Sequence, residues 1–242
     1  ILAKLDRIEE AEKAHEDLEA LAARSGDATT AIRGCLARAS FLEDTIKDDA
    51  RSEAQFARCI EKAPTDPLAL RLLTEFYDKR KRSDDATALW EKALAEAPEN
   101  LQIRAALARR YESKGKADEA RALLAEGVET LGTSQAYTEL GEFERRNGRP
   151  GEALQAIDEA IQASPKPSEQ MSFLKADLLV DLGRLEEAEA LVRTLTEAAF
   201  RDLIRGRILL ARGDAAGALA TFDTGLKRWP NNAGARYLAG LA

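Results

Sequence analysis

Residues 67–100 read PLALRLLTEFYDKRKRSDDATALWEKALAEAPEN, and this stretch decides the fold. It opens on Asp66-Pro67. The aspartate can accept first-turn amides, and a proline's missing N–H costs nothing at the first helical position. The helix that follows ends in Lys79-Arg80-Lys81-Arg82, where cations meet the partial negative charge of the last carbonyls. Asp84-Asp85 then marks the start of a second helix, where acids are favoured for the converse reason. Ala97-Pro98 closes the second apolar run, and Asn100 caps a fresh pattern at Leu101.

The same punctuation recurs along the chain. Ala63-Pro64, Ala97-Pro98, Ser164-Pro165 and Trp229-Pro230 each close a helical run. Pro64 and Pro98 are 34 residues apart, Gly132 lies 34 further on, and Pro165 follows after 33. Asn232 before Ala233 repeats the capping arrangement of Asn100. Glycine gives a second ruler: Gly115, Gly148, Gly183 and Gly213 stand five residues before Ala120, Ala153, Ala188 and Ala218. Each glycine ends one helix in the left-handed conformation. Each alanine must be small, because two helices cross closely there. Ser52 and Ala86 fill the same slot earlier, giving successive spacings of 34, 34, 33, 35 and 30 residues.

A period of about 34 residues with two helices per unit resembles the tetratricopeptide repeat family. That family favours a large residue at position 4, Leu at 7, Gly or Ala at 8, Tyr at 11, Ala at 20, a large apolar residue at 24, Ala at 27 and Pro at 32. The copy from Pro67 matches with Leu70, Leu73, Tyr77, Ala86, Trp90, Ala93 and Pro98, and departs clearly only at Thr74. The copy from Leu101 keeps Leu107, Ala108, Tyr111, Ala120 and Leu124. The copy from Ser134 keeps Tyr137, Leu140, Gly141, Ala153, Ile157, Ala160 and Pro165. A looser copy near Glu169 keeps Ala176, Leu179, Gly183 and Ala188 but is about four residues short, so its second helix is expected to be clipped. The next, near Ala199, keeps Gly206, Leu209, Gly213, Ala218, Phe222 and Pro230. An early degenerate copy from about Arg33 keeps Phe56 and Pro64.

The resemblance implies an all-α fold, a right-handed superhelical α-solenoid of antiparallel helix pairs. The units expected are 33–66, 67–100, 101–133, 134–168, 169–198 and 199–232. Residues 1–32 are expected to form a capping helix or partial repeat, with Leu2, Leu5, Ile8, Leu18 and Leu21 along it and Ser25-Gly26-Asp27 as its stop. Residues 233–242 are expected to start a seventh repeat or to cap the array. Their apolar character suits either a solvating half-repeat or a cut through a longer array.

Composition excludes several classes of function. Hydrophobic residues make up 45% of the 242, which allows a core, while the 5% aromatic share argues against strand-rich folds. The net charge of −7 argues against general nucleic-acid binding. The chain has one histidine, so histidine-based hydrolase, metal and proton-relay schemes lack their usual residue. No phosphate loop, HExxH or GxSxG pattern occurs. No apolar run reaches the ~18 residues a spanning helix needs. We therefore expect no enzyme activity, no cofactor and no metal.

Other features have structural readings. His15 reads as a surface histidine, Trp90 and Trp229 as packing, and Arg212-Gly213-Asp214 as the recurring turn. Cys35 and Cys59 match no metal or redox spacing; they read as small buried hydrophobes, with a disulfide between neighbouring helices as the alternative.

The function implied by the resemblance is recognition of a protein or peptide partner in a concave groove lined by first helices. Family positions 2, 5, 9, 12 and 13 face that groove. They single out Arg71, Glu75, Arg109, Glu142, Arg145 and Arg146, then Phe173, Leu203 and Arg207. An arginine section for carboxylates followed by an apolar section for hydrophobic anchors is one expectation. The other is that the arginines are solvated and paired with neighbours such as Glu75, Glu112 and Glu142. Positions 5 and 9 read Arg71/Glu75, Ala105/Arg109 and Thr138/Glu142, without the asparagine of the chaperone-binding clamp. The Ala- and Arg-rich composition looks bacterial, and similar bacterial arrays serve pilus, polysaccharide and other envelope assembly. The alternative role is a regulatory or recruiting domain of a larger enzyme.

Overall fold

The structure, a computed structural model, describes residues 7–228 and 230–241. The expectations for Leu2, Leu5 and Trp229 lie outside these. The described residues form α-helices and turns, with no strand among them, and the chain divides into two compact units. The first, Ile1–Lys116, holds α1 (Ile8–Arg24), α2 (Ala28–Phe41), a π-helical turn (Leu42–Ile46), α3 (Asp49–Lys62), α4 (Pro67–Lys79), α5 (Ser83–Glu96) and α6 (Leu101–Ser113). The second, Ala117–Ala242, holds α7 (Ala117–Leu131), α8 (Ser134–Arg146), α9 (Pro150–Gln162), α10 (Glu169–Asp181), α11 (Leu185–Val192), α12 (Ala198–Ala211), α13 (Ala215–Arg228) and α14 (Ala233–Leu241). Within each unit every helix packs on the next, and short turns make neighbours antiparallel, the arrangement of an α-solenoid.

Local chemistry sets the helix ends. Asp27, Asp48, Asp66 and Thr133 each accept the amide three residues on, and Asn100 accepts those of Gln102 and Ile103. Asp27 caps α2 at Ala28, so the expected boundary at 32/33 falls inside that helix. The turn glycines Gly115, Gly148, Gly183 and Gly213 have φ between 71° and 83°. Lys47 and Lys81 occupy the same slot, five residues before Ser52 and Ala86, with φ of 64° and 60°. The turn is thus kept where glycine is absent, at a cost of about 1 kcal/mol per residue for left-handed backbone.

Close helix crossings build the core. Ser52, Ala86, Ala120, Ala153, Ala188 and Ala218 are all fully buried at the recurring small-residue slot. A second pairing links residues 16 apart. Gly141 faces Ile157, and Gly206 faces the buried Phe222. The departure at Thr74 belongs to this set: the Trp90 indole N–H donates to its hydroxyl at 2.8 Å. A Cβ at Gly206 would lie 2.3–2.8 Å from three ring carbons of Phe222. Gly206→Ala should therefore destabilise the protein by about 2 kcal/mol. Phe222→Leu in that background should recover part of the loss. Urea unfolding of the single and double variants tests the coupling; strictly additive effects would refute it.

Several sequence readings change in the first unit. Cys35 and Cys59 are fully buried, as small hydrophobes would be, but they are bonded to each other, because α2 on α3 brings their Cα atoms to 5.8 Å. His15 is half-buried and stacks on Phe41 with ring centroids 4.3 Å apart, and burial lowers its pKa. The basic run 79–82 is tied down by neighbours. Arg80 lies 3.6 Å over the Phe76 ring and pairs with Glu43 and Asp49, while Arg82 pairs with Glu53 and Asp85. In the second unit α11 spans only 8 residues against 13 in α9, the clipped helix expected of the short copy.

Candidate functional site

The second unit brings four of the nine candidate residues to one groove of about 390 Å³. The turn structure makes α8, α10, α12 and α14 its walls. Thr133 and Glu197 cap α8 and α12 through their side chains, and Ser168 stands at the N-cap position of α10 without a side-chain cap bond. Arg145 near the end of α8, Phe173 on α10, and Leu203 and Arg207 on α12 line the groove, together with Asp177, Tyr237 and Leu238.

The polar wall is a closed network of ion pairs. Asp177 is 5% exposed and receives both Arg145 and Arg207. Asp181, one turn further along α10, also receives Arg207 and lies 3.7 Å from Arg145. Arg207 donates in addition to the Asp177 carbonyl at 3.2 Å. Burial of the Arg207 guanidinium opposes its charge, but the two aspartates outweigh that effect and its pKa is raised. Two guanidiniums therefore face two carboxylates, and the wall is neutral as a whole.

The other wall is apolar. Phe173 stacks on Phe200 with centroids 4.6 Å apart and an interplanar angle of 29°. Leu203 is half-buried beside it, and Tyr237 projects with 67% of its surface exposed. The groove thus sets an apolar wall opposite a neutral polar one.

The remaining candidates lie elsewhere. Arg71 and Glu75 belong to the first unit and pair with each other at 2.7 Å on exposed turns of α4. Arg109 is exposed on α6 of the same unit. Glu142 is half-buried and Arg146 exposed on α8, and neither lines the groove. Asp177 and Asp181 stand at family positions 9 and 13 of the copy from Glu169, which puts both on the groove face but does not assign them the arginines. It did not single out Tyr237 and Leu238. Opposite charges one repeat apart would have revealed the first pair: Arg145 and Arg207 lie 32 and 30 residues from Asp177. Among the described residues no group of His, Cys, Asp and Glu could hold a metal, and no helix is long and apolar enough to cross a membrane.

The geometry agrees with comparisons to known proteins. Among solved structures, a tetratricopeptide repeat protein from Parabacteroides merdae is similar over 99% of this chain and 94% of its own, with 17% identity and a TM-score of 0.56. PilF of Pseudomonas aeruginosa is similar over 89% of this chain and 99% of its own, with 15% identity and a TM-score of 0.54. PilW, described as a widely conserved type IV pilus biogenesis factor, is similar over 86% and 97%, with 18% identity and a TM-score of 0.54. At these identities the likeness is one of fold. No curated protein sequence matches. A tetratricopeptide-repeat family model matches residues 79–142 and 144–212, and a second such model matches 203–242. With the first of these covering more than half of the 242 residues, the chain belongs to the tetratricopeptide repeat family, whose members bind protein partners.

Proposed function

We propose that this chain is a non-catalytic interaction scaffold whose second unit seats an apolar-anchored peptide or helix of a partner protein in the groove of Phe173, Leu203, Tyr237 and Leu238. The observation that carries this reading is the pairing of Arg145 and Arg207 with Asp177 and Asp181 beside an exposed apolar wall. Because the arginines are matched internally, affinity comes from burying apolar side chains, about 1.5–3 kcal/mol for each one fully buried. Helix pairs held by such packing are preorganised, so little ordering cost falls on the scaffold.

A bacterial envelope assembly is the setting we favour. The buried Cys35–Cys59 bond supports it, since disulfides persist in oxidising compartments. The likeness in fold to a type IV pilus biogenesis factor agrees with it.

Selection from a displayed peptide library tests the groove. Enriched peptides should carry large apolar residues at helical spacing, and Leu203→Glu should weaken them by about tenfold or more. Peptides that bind parent and variant alike would place recognition on another surface.

A further inference from the structure

The second unit carries another concavity, separate from the groove above, where the clipped helix α11 stops. Its volume is about 240 Å³. Val192, the last residue of α11, forms its floor with Ile208 and Leu209 of α12. An engineered cavity of about 150 Å³ already admits benzene, so this one has room for a leucine or phenylalanine side chain. The rim is basic on a chain that is acidic as a whole. Arg193 is the residue that ends α11, Arg205 stands in mid-α12, and Arg212 caps the end of α12.

The partners of these arginines decide the charge of the site. Arg212 lies 2.9 Å from Glu189 and 3.6 Å from Glu186, and Arg193 reaches Glu189 at 3.9 Å. Three guanidiniums thus face two carboxylates. Arg205 is exposed and has no carboxylate partner among the described residues. The contrast with the groove is physical: there two arginines meet two aspartates and nothing remains unmatched.

We infer that this concavity is a second docking site, on the α11–α12–α13 face, for an acidic peptide segment that inserts one large apolar side chain between flanking carboxylates. The apolar residue packs on half-buried Leu209, backed by the buried Val192 and Ile208, and a flanking carboxylate meets Arg205 in the bidentate geometry a guanidinium favours. The concavity lies where α11 ends after 8 residues.

The test uses the full chain and two fluorescein-labelled hexapeptides, Leu-Phe flanked on each side by two glutamates or by two lysines. Anisotropy should show saturable binding of the glutamate peptide only, weakening as salt rises because its charge contacts are near the surface. Arg205→Glu, at an exposed position, should lower that affinity about tenfold, while Leu203→Glu in the separate groove should leave it unchanged. Circular dichroism checks that both variants fold. Equal binding of the two peptides, no saturation at millimolar peptide, or sensitivity to Leu203→Glu instead of Arg205→Glu would each overturn the inference. Because the two variants report on different surfaces, failure here is distinguishable from failure of the proposed groove.

Discussion

Replacing Cys35 and Cys59 by alanine should lower stability by about 3.5 kcal/mol, on the chain-entropy account of a cross-link. The bond joins residues 24 apart, and without it the unfolded chain regains the conformations that the closed loop forbids. The melting temperature should fall by roughly 10–15 °C if the first unit unfolds as one transition. The surroundings add to the effect. Both sulfurs are fully buried, and the buried Gln55 donates to Cys35 Sγ at 3.5 Å and to Glu19 at 3.0 Å. Glu19 in turn receives Arg38 at 3.3 Å, so the bond stands inside a polar network joining α1, α2 and α3. Reductant reaches the bond only when this packing opens, so reduction should be slow in the native protein and fast in urea. Hydrogen exchange should show the greatest loss of protection in α1–α4, because coupling in repeat chains runs mainly between neighbours. Two free thiols in the oxidised protein, or a double variant melting within 2 °C of the parent, would refute this.

The parts of the fold that were legible in the sequence are those set within a few residues. Asp66-Pro67 favours a helix start on local grounds alone, because the cap and the fixed φ act inside one turn. The shortness of α11 was legible because the spacing from Ala188 to Ala218 is 30 rather than about 34. Where one residue type was replaced by another that keeps the same geometry, the signal vanished. Lys47 and Lys81 hold the left-handed turn without glycine, and Thr74 holds a small-residue slot by accepting the Trp90 indole N–H. The division at Lys116/Ala117 falls inside the expected unit 101–133, at a turn glycine, Gly115, of the same kind as those at 148, 183 and 213. The candidate site was legible as a set of faces and not as a set of pairs. Family positions put Arg145, Asp177 and Arg207 on one surface, but they carry no information on which carboxylate neutralises which guanidinium. Those partners are about a repeat apart and meet only after the helices stack. Arg110 and Asp78, 32 residues apart on α6 and α4, pair at 2.9 Å by the same logic.

Removing the Asp177 carboxylate should be nearly as damaging as removing the disulfide. Asp177→Ala leaves Arg207, whose side chain is only 16% exposed, with one aspartate in place of two, and leaves Arg145 with a partner at 3.7 Å. Truncating one member of a buried ion pair costs about 3–5 kcal/mol, because the remaining charge stays desolvated. Asp181 still contacts both arginines, so a value near 3 kcal/mol is expected. The pair need not be worth that much itself, since well-packed apolar residues often replace buried ions without loss. Asp177→Leu combined with Arg207→Met should therefore recover most of the stability that Asp177→Ala loses, which a simple sum of two damaging substitutions would not. Urea midpoints of the two variants separate these accounts: a single variant within 0.5 kcal/mol of the parent, or a double variant no better than the single, would contradict the desolvation argument. Function should respond differently from stability. The double variant removes one positive and one negative charge, so the groove wall stays neutral, with Arg145 3.7 Å from Asp181. A groove that binds through its apolar wall should then keep its apolar ligands, whereas Asp177→Ala alone, which leaves two guanidiniums facing one carboxylate, should begin to accept acidic ones. The ion pairs would thus act as a filter against acidic partners, imposed by three helices whose spacing they also fix.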